Sequence, residues 1–220
     1  QSGFPPDEFA EARFDPSGTL TLLMGTQSSG QGHQTAYAQL AAEKLGLSLE
    51  KIRVVQGDTA AIGFGRGTGG SRSLPVGGAA LFHAADKLIE KGKKIAAHLM
   101  EVAEADIGFD DGVFAIAGTD RGVTLDAVAR AAFNPSQLPP GLEPGFAESG
   151  HFTPPAPTFP NGCHVCEVEI DPDTGLIEIV RYLVVDDFGT VINPLLLAGQ
   201  VHGGIAQGVG QAMLERTVYD

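Results

Sequence analysis

The stretch "GTQSSGQGHQTAYAQLAAEKLG", residues 25–46, joins an apolar, strand-like segment (Leu20 to Met24) to a helix through a glycine-rich turn. Ala38, Leu40, Ala41 and Leu45 recur near helical spacing, which predicts an amphipathic helix over residues 34–45. Turns of this kind often hold phosphate, because the N–H groups at a helix start point at the ligand. The nucleotide templates do not fit this one. Gln31 stands where a P-loop requires lysine, and Thr35 where the dinucleotide fingerprint requires a third glycine. Two readings stay open: Gly30, Gly32 and the Gln31 amide present donors to some ligand, or the stretch is a tight turn that binds nothing.

Around this unit the chain alternates between strands and helices without a regular order. "EARFDPSG" and "TLTLLMGT" read as a hairpin, and "KIRVVQGDT" as a short strand ending in a loop. That loop has glycine at 63, 65, 67, 69 and 70, too many for regular structure. A long helix is expected from about Leu74 to Ala105, with Ser73 as its cap and Pro75 tolerated in the first turn. "IGFDDGVFAIAG" reads as strand-turn-strand and "TLDAVARAAF" as a short helix. Eight prolines between residues 134 and 160 predict an irregular, extended connector. A hairpin follows ("CHVCEVEID" and "LIEIVRYLVVDD" about the turn "PDTG"), then a glycine-punctuated helix from about Leu195 to Glu215. Mixed elements with antiparallel hairpins give an α+β class. Two lobes, 1–134 and 161–220, are expected on either side of the connector.

Composition narrows the function classes. Twenty-seven acidic residues against 14 basic ones give a formal charge of −13, which argues against nucleic acid as a partner. No apolar run is long enough for a transmembrane helix, and "QSGFPPDEFAEARFDP" lacks a signal-peptide pattern, so a cytoplasmic chain is expected. Cys163 and Cys166 form a CxxC, but positions i and i+3 of a strand face opposite ways and no second CxxC exists. They read as two ordinary strand cysteines, and no metal ligand is assigned. His33, His164 and His202 read as hydrogen-bonded structural groups.

Two further turns carry chemistry. "RGTGGSRS" brings Ser71, Arg72 and Ser73 to a helix start, and a guanidinium is well shaped to grip phosphate through parallel hydrogen bonds; an N-cap beside a surface arginine is the plainer alternative. In "VVDDFGTVINPLLLAGQVHGGIAQGVGQAMLE" a strand runs into an Asp-Asp-Phe-Gly turn and then a helix with Gly199, Gly203, Gly204, Gly208 and Gly210. Each interior glycine costs a helix ~1 kcal/mol against alanine. At helical spacing Gly199, Gly203, Ala206 and Gly210 make a smooth face for close approach, beside an amide-lined face of Gln200, Gln207 and Gln211.

Taken together, "GQGHQTAYAQLAAEKLGL", "RVVQGDT", "GTGGSRS", "HVCEVEIDPDTG" and the final glycine-rich stretch resemble the molybdenum-binding large subunit of the xanthine dehydrogenase/aldehyde oxidase family. The resemblance runs in family order over about residues 10–218 and is strongest to the aerobic carbon monoxide dehydrogenase-type branch. It implies a partial molybdopterin-binding domain over residues 1–220, with the cofactor as a cytosine dinucleotide. It also implies that Gln31 and Gly32 approach the pterin, that Ser71, Arg72 and Ser73 sit with the phosphates, and that Gly189, Thr190, Asn193 and Gln200 contact the cofactor. The remainder of the large subunit and iron–sulfur and flavin partners are implied with it.

The family's proton-abstracting glutamate lies in a Gly-x-Gly-Glu-like stretch that the resemblance places beyond Asp220. No catalytic residue is therefore assigned, and the chain alone is expected to be inactive. A non-catalytic module that binds another anionic ligand or a protein partner is the competing reading.

Overall fold

The computed structural model describes residues 7–219; the first six residues of the stretch read for a targeting signal lie outside them. The chain divides into two compact units, residues 1–154 and 155–220.

In the first unit the expected hairpin forms from β1 (Glu8–Phe14) and β2 (Leu20–Met24), paired antiparallel with Ala10 opposite Met24 and Phe14 opposite Leu20. Strand alternation sends Glu8, Ala10, Ala12 and Phe14 to one buried face. Three of these suit a core, and Glu8 is a carboxylate with no exposed surface. The predicted helix is α1 (His33–Leu45), which buries His33, Tyr37, Leu40, Ala41 and Leu45 and crosses to β3 (Ile52–Val55), parallel to β2. Gly46 ends it in the left-handed conformation, as C-terminal glycines commonly do.

The connector is less irregular than its prolines predict. Residues Ala147–Phe152 form β7, antiparallel to β1, and complete a mixed sheet in the order β3-β2-β1-β7. "AESGHF" is too polar to show the apolar alternation of a strand; it pairs because β1 offers a free edge. Helix α2 (Ala79–Met100) packs on this sheet so closely that a Cβ on Gly150 would lie 2.6 Å from the Ala84 nitrogen.

The long helix differs from expectation at both ends. Residues Ser73–Gly78 form a π-helical turn before α2, and Ser73 caps nothing. At the far end Glu101 turns left-handed (φ 58°) and stops the helix. Beyond it, β4 (Ile107–Asp110), β5 (Val113–Ile116) and β6 (Gly122–Thr124) make a small antiparallel sheet. Thr124 then caps α3 (Leu125–Ala131), accepting from the Ala127 N–H.

The second unit is a long hairpin followed by a helix. β8 (Asn161–Ile170) pairs antiparallel with β9 (Ile177–Asp187), with a register irregularity between Glu167 and Val168. Asp171 closes the turn by accepting the N–H groups of Asp173 (2.8 Å) and Thr174 (3.0 Å). Asn193 caps α4 (Pro194–Met213) through the Leu196 N–H, with Pro194 tolerated in the first turn. Cys163 and Cys166 are free and exposed on β8. Among the described residues no helix is long and apolar enough to cross a membrane.

Candidate functional site

In the first unit, three segments distant in sequence meet: the start of β1, the turn after β2, and the glycine-rich loop before α2. Backbone pairing begins the junction, with the Gly25 N–H donating to Phe9 O (3.0 Å) and the Gly67 N–H to Gly25 O (3.1 Å). Glycine is needed where the strands and loop touch. A Cβ on Gly25 would lie 2.8 Å from the Gly65 Cα, and one on Gly65 2.7 Å from the Gly25 Cα. No larger residue fits without separating the segments.

Hydroxyl groups extend the contact. The Thr68 hydroxyl donates to Gln27 O (2.6 Å) and accepts from the Gln27 N–H (3.2 Å). Its single proton being spent, the Ser73 hydroxyl donates to Thr68 Oγ1 (2.9 Å). The Tyr37 hydroxyl donates to Ser73 O (2.7 Å), so Thr26 donates to Tyr37 (3.0 Å). Burial pushes the Tyr37 phenol up to about 12. Gln56 Nε2 bonds Thr26 Oγ1 (2.7 Å) and approaches His33 Nδ1 (3.2 Å). Burial holds the His33 pKa below the ordinary histidine value. Polar side chains thus run unbroken from α1 to the loop.

Charged groups fasten the other side. Arg72, almost wholly buried, forms an ion pair with Glu8 through Nη1, donates from Nη1 to Gly67 O (2.9 Å) and from Nη2 to Asp7 O (2.5 Å). Glu8 Oε1 accepts the Phe9 N–H (3.0 Å) and the Arg66 N–H (3.2 Å). Sequence reasoning missed Glu8. Its signal was the phase of β1, which places position 8 on the same face as Ala10, Ala12 and Phe14.

What remains exposed is mostly backbone. Gly32 precedes α1 in the left-handed conformation (φ 78°) with no side-chain cap, leaving first-turn N–H groups for another acceptor. Gly70 (φ 59°) and Ser71 (φ 57°) are also left-handed, and Ser71 is exposed. A serine held there carries strain of the kind found at binding sites. A Cβ on Gly30, Gly67 or Gly70 would meet nothing within 4 Å, so these turns are open. The Gln31 side chain folds onto its own turn, Oε1 accepting the Ser29 N–H (2.5 Å) and Nε2 donating to Gln27 O (3.4 Å). Neutral donors around open glycines suit an anionic ligand rich in heteroatoms, such as a pterin with phosphates.

Of the sequence-predicted residues, Gln31 and Gly32 lie in the first of the joined turns and Ser71, Arg72 and Ser73 in the second. Only Ser71 of that second group faces solvent; Arg72 and Ser73 point inward. Gly189, Thr190, Asn193 and Gln200 lie in the second unit. There Gly189 is left-handed (φ 69°), its N–H donates to Asp187 Oδ1 (2.9 Å), and Gln200 is exposed on α4.

The family described as the molybdopterin cofactor-binding domain matches residues 1–220. The carbon monoxide dehydrogenase large chain of Hydrogenophaga pseudoflava is 43% identical over 211 residues, covering 96% of this chain and 26% of that protein. The nicotine 6-hydroxylase large subunit of Paenarthrobacter nicotinovorans is 37% identical over 213 residues, with 96% and 26% covered. The crystal structure of a Cu,Mo-CO dehydrogenase in its carbon monoxide reduced state superposes with a TM-score of 0.90 at 41% identity, over 97% of this chain and 27% of that one. The chain therefore spans about a quarter of the length of these relatives.

Proposed function

Because the chain belongs to the molybdopterin cofactor-binding domain family, we propose that its first unit forms one wall of a molybdopterin site in a molybdenum hydroxylase large subunit. One observation carries this reading. An uncapped helix start at Gly32 is tied, through Gln27 and Thr68, to a turn of open backbone at Gly70 and Ser71. In this reading Gln31 and Gly32 serve the pterin end, and the Ser71–Ser73 turn serves the phosphates of a cytosine dinucleotide form. In the second unit Gly189, Thr190, Asn193 and Gln200 are its proposed cofactor contacts.

The bound group would supply a redox metal centre. The chain's residues bind and orient it. Backbone N–H groups and neutral amides meet its anionic and heteroatom positions without adding full charges beside the metal. The proposed proton-abstracting base is a glutamate outside these 220 residues, so this chain alone is not expected to turn over substrate. The remainder of the large subunit, iron–sulfur and flavin partners, and a cytoplasmic location belong to the same proposal.

The test is molybdenum and pterin analysis of the full-length subunit from cells with intact cofactor synthesis. Near-stoichiometric metal and pterin, with cytidine monophosphate released on hydrolysis, is the expected result. A loaded protein that releases no cytidine monophosphate would correct the dinucleotide form alone. A subunit lacking both metal and pterin would favour the non-catalytic module. The isolated chain, supplied with cofactor, is expected to reduce no dye in the presence of aldehyde, purine or carbon monoxide. Turnover above an Arg72→Ala control would place a base within these residues.

A further inference from the structure

We infer that Arg72 is a positioning residue that holds the cofactor turn from inside, with Glu8 as its counter-ion, and does not itself touch the phosphates. The inference rests on the cofactor reading above and assigns this arginine a different task from the one its place in "GSRS" suggests. Three observations on both partners carry it.

The first is direction. Arg72 follows the exposed, left-handed Ser71, yet its own side chain is only 7% exposed and turns toward β1. The second is occupancy. Nη1 serves Glu8 and Gly67 O, and Nη2 serves Asp7 O, so both terminal nitrogens already bond protein oxygens. To reach a phosphate the guanidinium would have to leave a carboxylate with no exposed surface, which strands a buried charge. The third is what Glu8 does with its other oxygen. Oε1 accepts the N–H groups of Phe9 and Arg66, one on the strand and one within the loop. The pair therefore fastens the loop to β1 at residues 66, 67 and 72, on both sides of the open turn at Gly70 and Ser71.

The structural consequence is a rigid frame around a strained turn. Holding Ser71 left-handed requires surroundings that over-determine the backbone, and the Glu8–Arg72 pair supplies that constraint. Without it the turn relaxes, and its backbone donors no longer converge on one ligand.

The two roles for Arg72 give opposite results for Glu8→Gln. If Arg72 grips phosphate, removing its competing carboxylate frees the guanidinium and cofactor release slows or stays unchanged. If Arg72 positions the turn, Glu8→Gln speeds release as Arg72→Met does, and the double variant is no worse than the worse single one. We expect release from the loaded full-length subunit to be at least tenfold faster in all three, followed as free pterin well below each melting temperature. The charge-free double variant guards against failure to fold, since it leaves no unpaired buried ion. Val128→Ala, in the remote helix α3, controls for general destabilisation and should lower the melting temperature without changing release. Backbone hydrogen exchange in cofactor-free protein should rise over residues 64–73 in the double variant and stay unchanged in α3. Wild-type or slower release from Glu8→Gln overturns the inference and makes Arg72 a direct ligand. Release that merely tracks melting temperature across all variants, Val128→Ala included, reduces the pair to a structural one. Neither result touches the cofactor reading, which falls only if the wild-type subunit carries no pterin.

Discussion

The molecule has two glycine-rich regions, and they are rich in glycine for different reasons. In the loop before α2 the need for glycine is visible on the spot. A Cβ on Gly65 would press into Gly25, while Gly67 (φ 71°) and Gly70 (φ 59°) adopt backbone angles that other residues reach only under strain. In α4 neither reason applies. Gly199, Gly203, Gly204 and Gly208 sit in ordinary helix, and a Cβ on any of them would meet nothing within 4 Å. Each nonetheless costs the helix ~1 kcal/mol relative to alanine. The first region folds around its glycines, whereas nothing among the described residues of the second unit accounts for these four of α4.

The same contrast holds for apolar side chains. Phe14 is 2% exposed in the first unit, against 77% for Val185 on β9. The first unit builds its own core from the β1–β2 face, α1 and α2. Along β8 and β9 no residue is buried.

The comparison breaks most sharply at Gly65. Gly65→Ala should destabilise the first unit by about 3 kcal/mol, because the added methyl forces the loop off the β2 turn, and chemical denaturation of the chain measures it. A neutral Gly65→Ala would mean that the close approach to Gly25 is not needed. Next in size is a pH effect at the same junction. Tyr37 has its pKa raised to about 12 from 10.0, so between those values the folded state binds more protons than the unfolded one. Stability supported by the neutral phenol is complete below pH 10 and is lost as pH rises toward 12, by about 2–3 kcal/mol in all. Tyr37→Phe should flatten that part of the stability curve.

His33 works in the other direction and more weakly. Burial lowers its pKa below 6.5, so the unfolded state binds more protons as pH falls through that value. The junction should therefore weaken on acidification below pH 6.5, and His33→Asn should reduce the slope of stability against pH there. The smallest effect tests the other half of the comparison. Gly203→Ala should leave the isolated chain as stable as before or stabilise it by up to ~1 kcal/mol, read from the same denaturation curves. A loss of stability would show that the second unit itself needs this glycine.

Much of this architecture follows from local sequence. Alternation in "EFAEARF" and "LTLLM" with "DPSG" between them specifies a hairpin, and the spacing of Ala38, Leu40, Ala41 and Leu45 announces α1, because strand and helix periods depend only on neighbours along the chain; the fold buries Tyr37 in place of Ala38. The long hairpin of the second unit is legible for the same reason, whereas the Asn193 cap of α4 emerged only in the structure. The glycine turns as a group also carried the family resemblance, since their backbone demands leave a strict residue pattern.

Other features depended on partners far away in sequence. β7 exists because β1 has an edge to pair with, which the polar "AESGHF" does not announce. Ser73 sits where a cap belongs, but Thr68 and Tyr37 claim it and the helix opens with a π turn instead. Above all, "GSRS" suggests an arginine reaching out for phosphate. Glu8, 64 residues earlier, draws that guanidinium inward, because a buried carboxylate needs a cation more than an exposed turn does. A one-dimensional pattern names the charges along a chain; only the fold determines which of them meet.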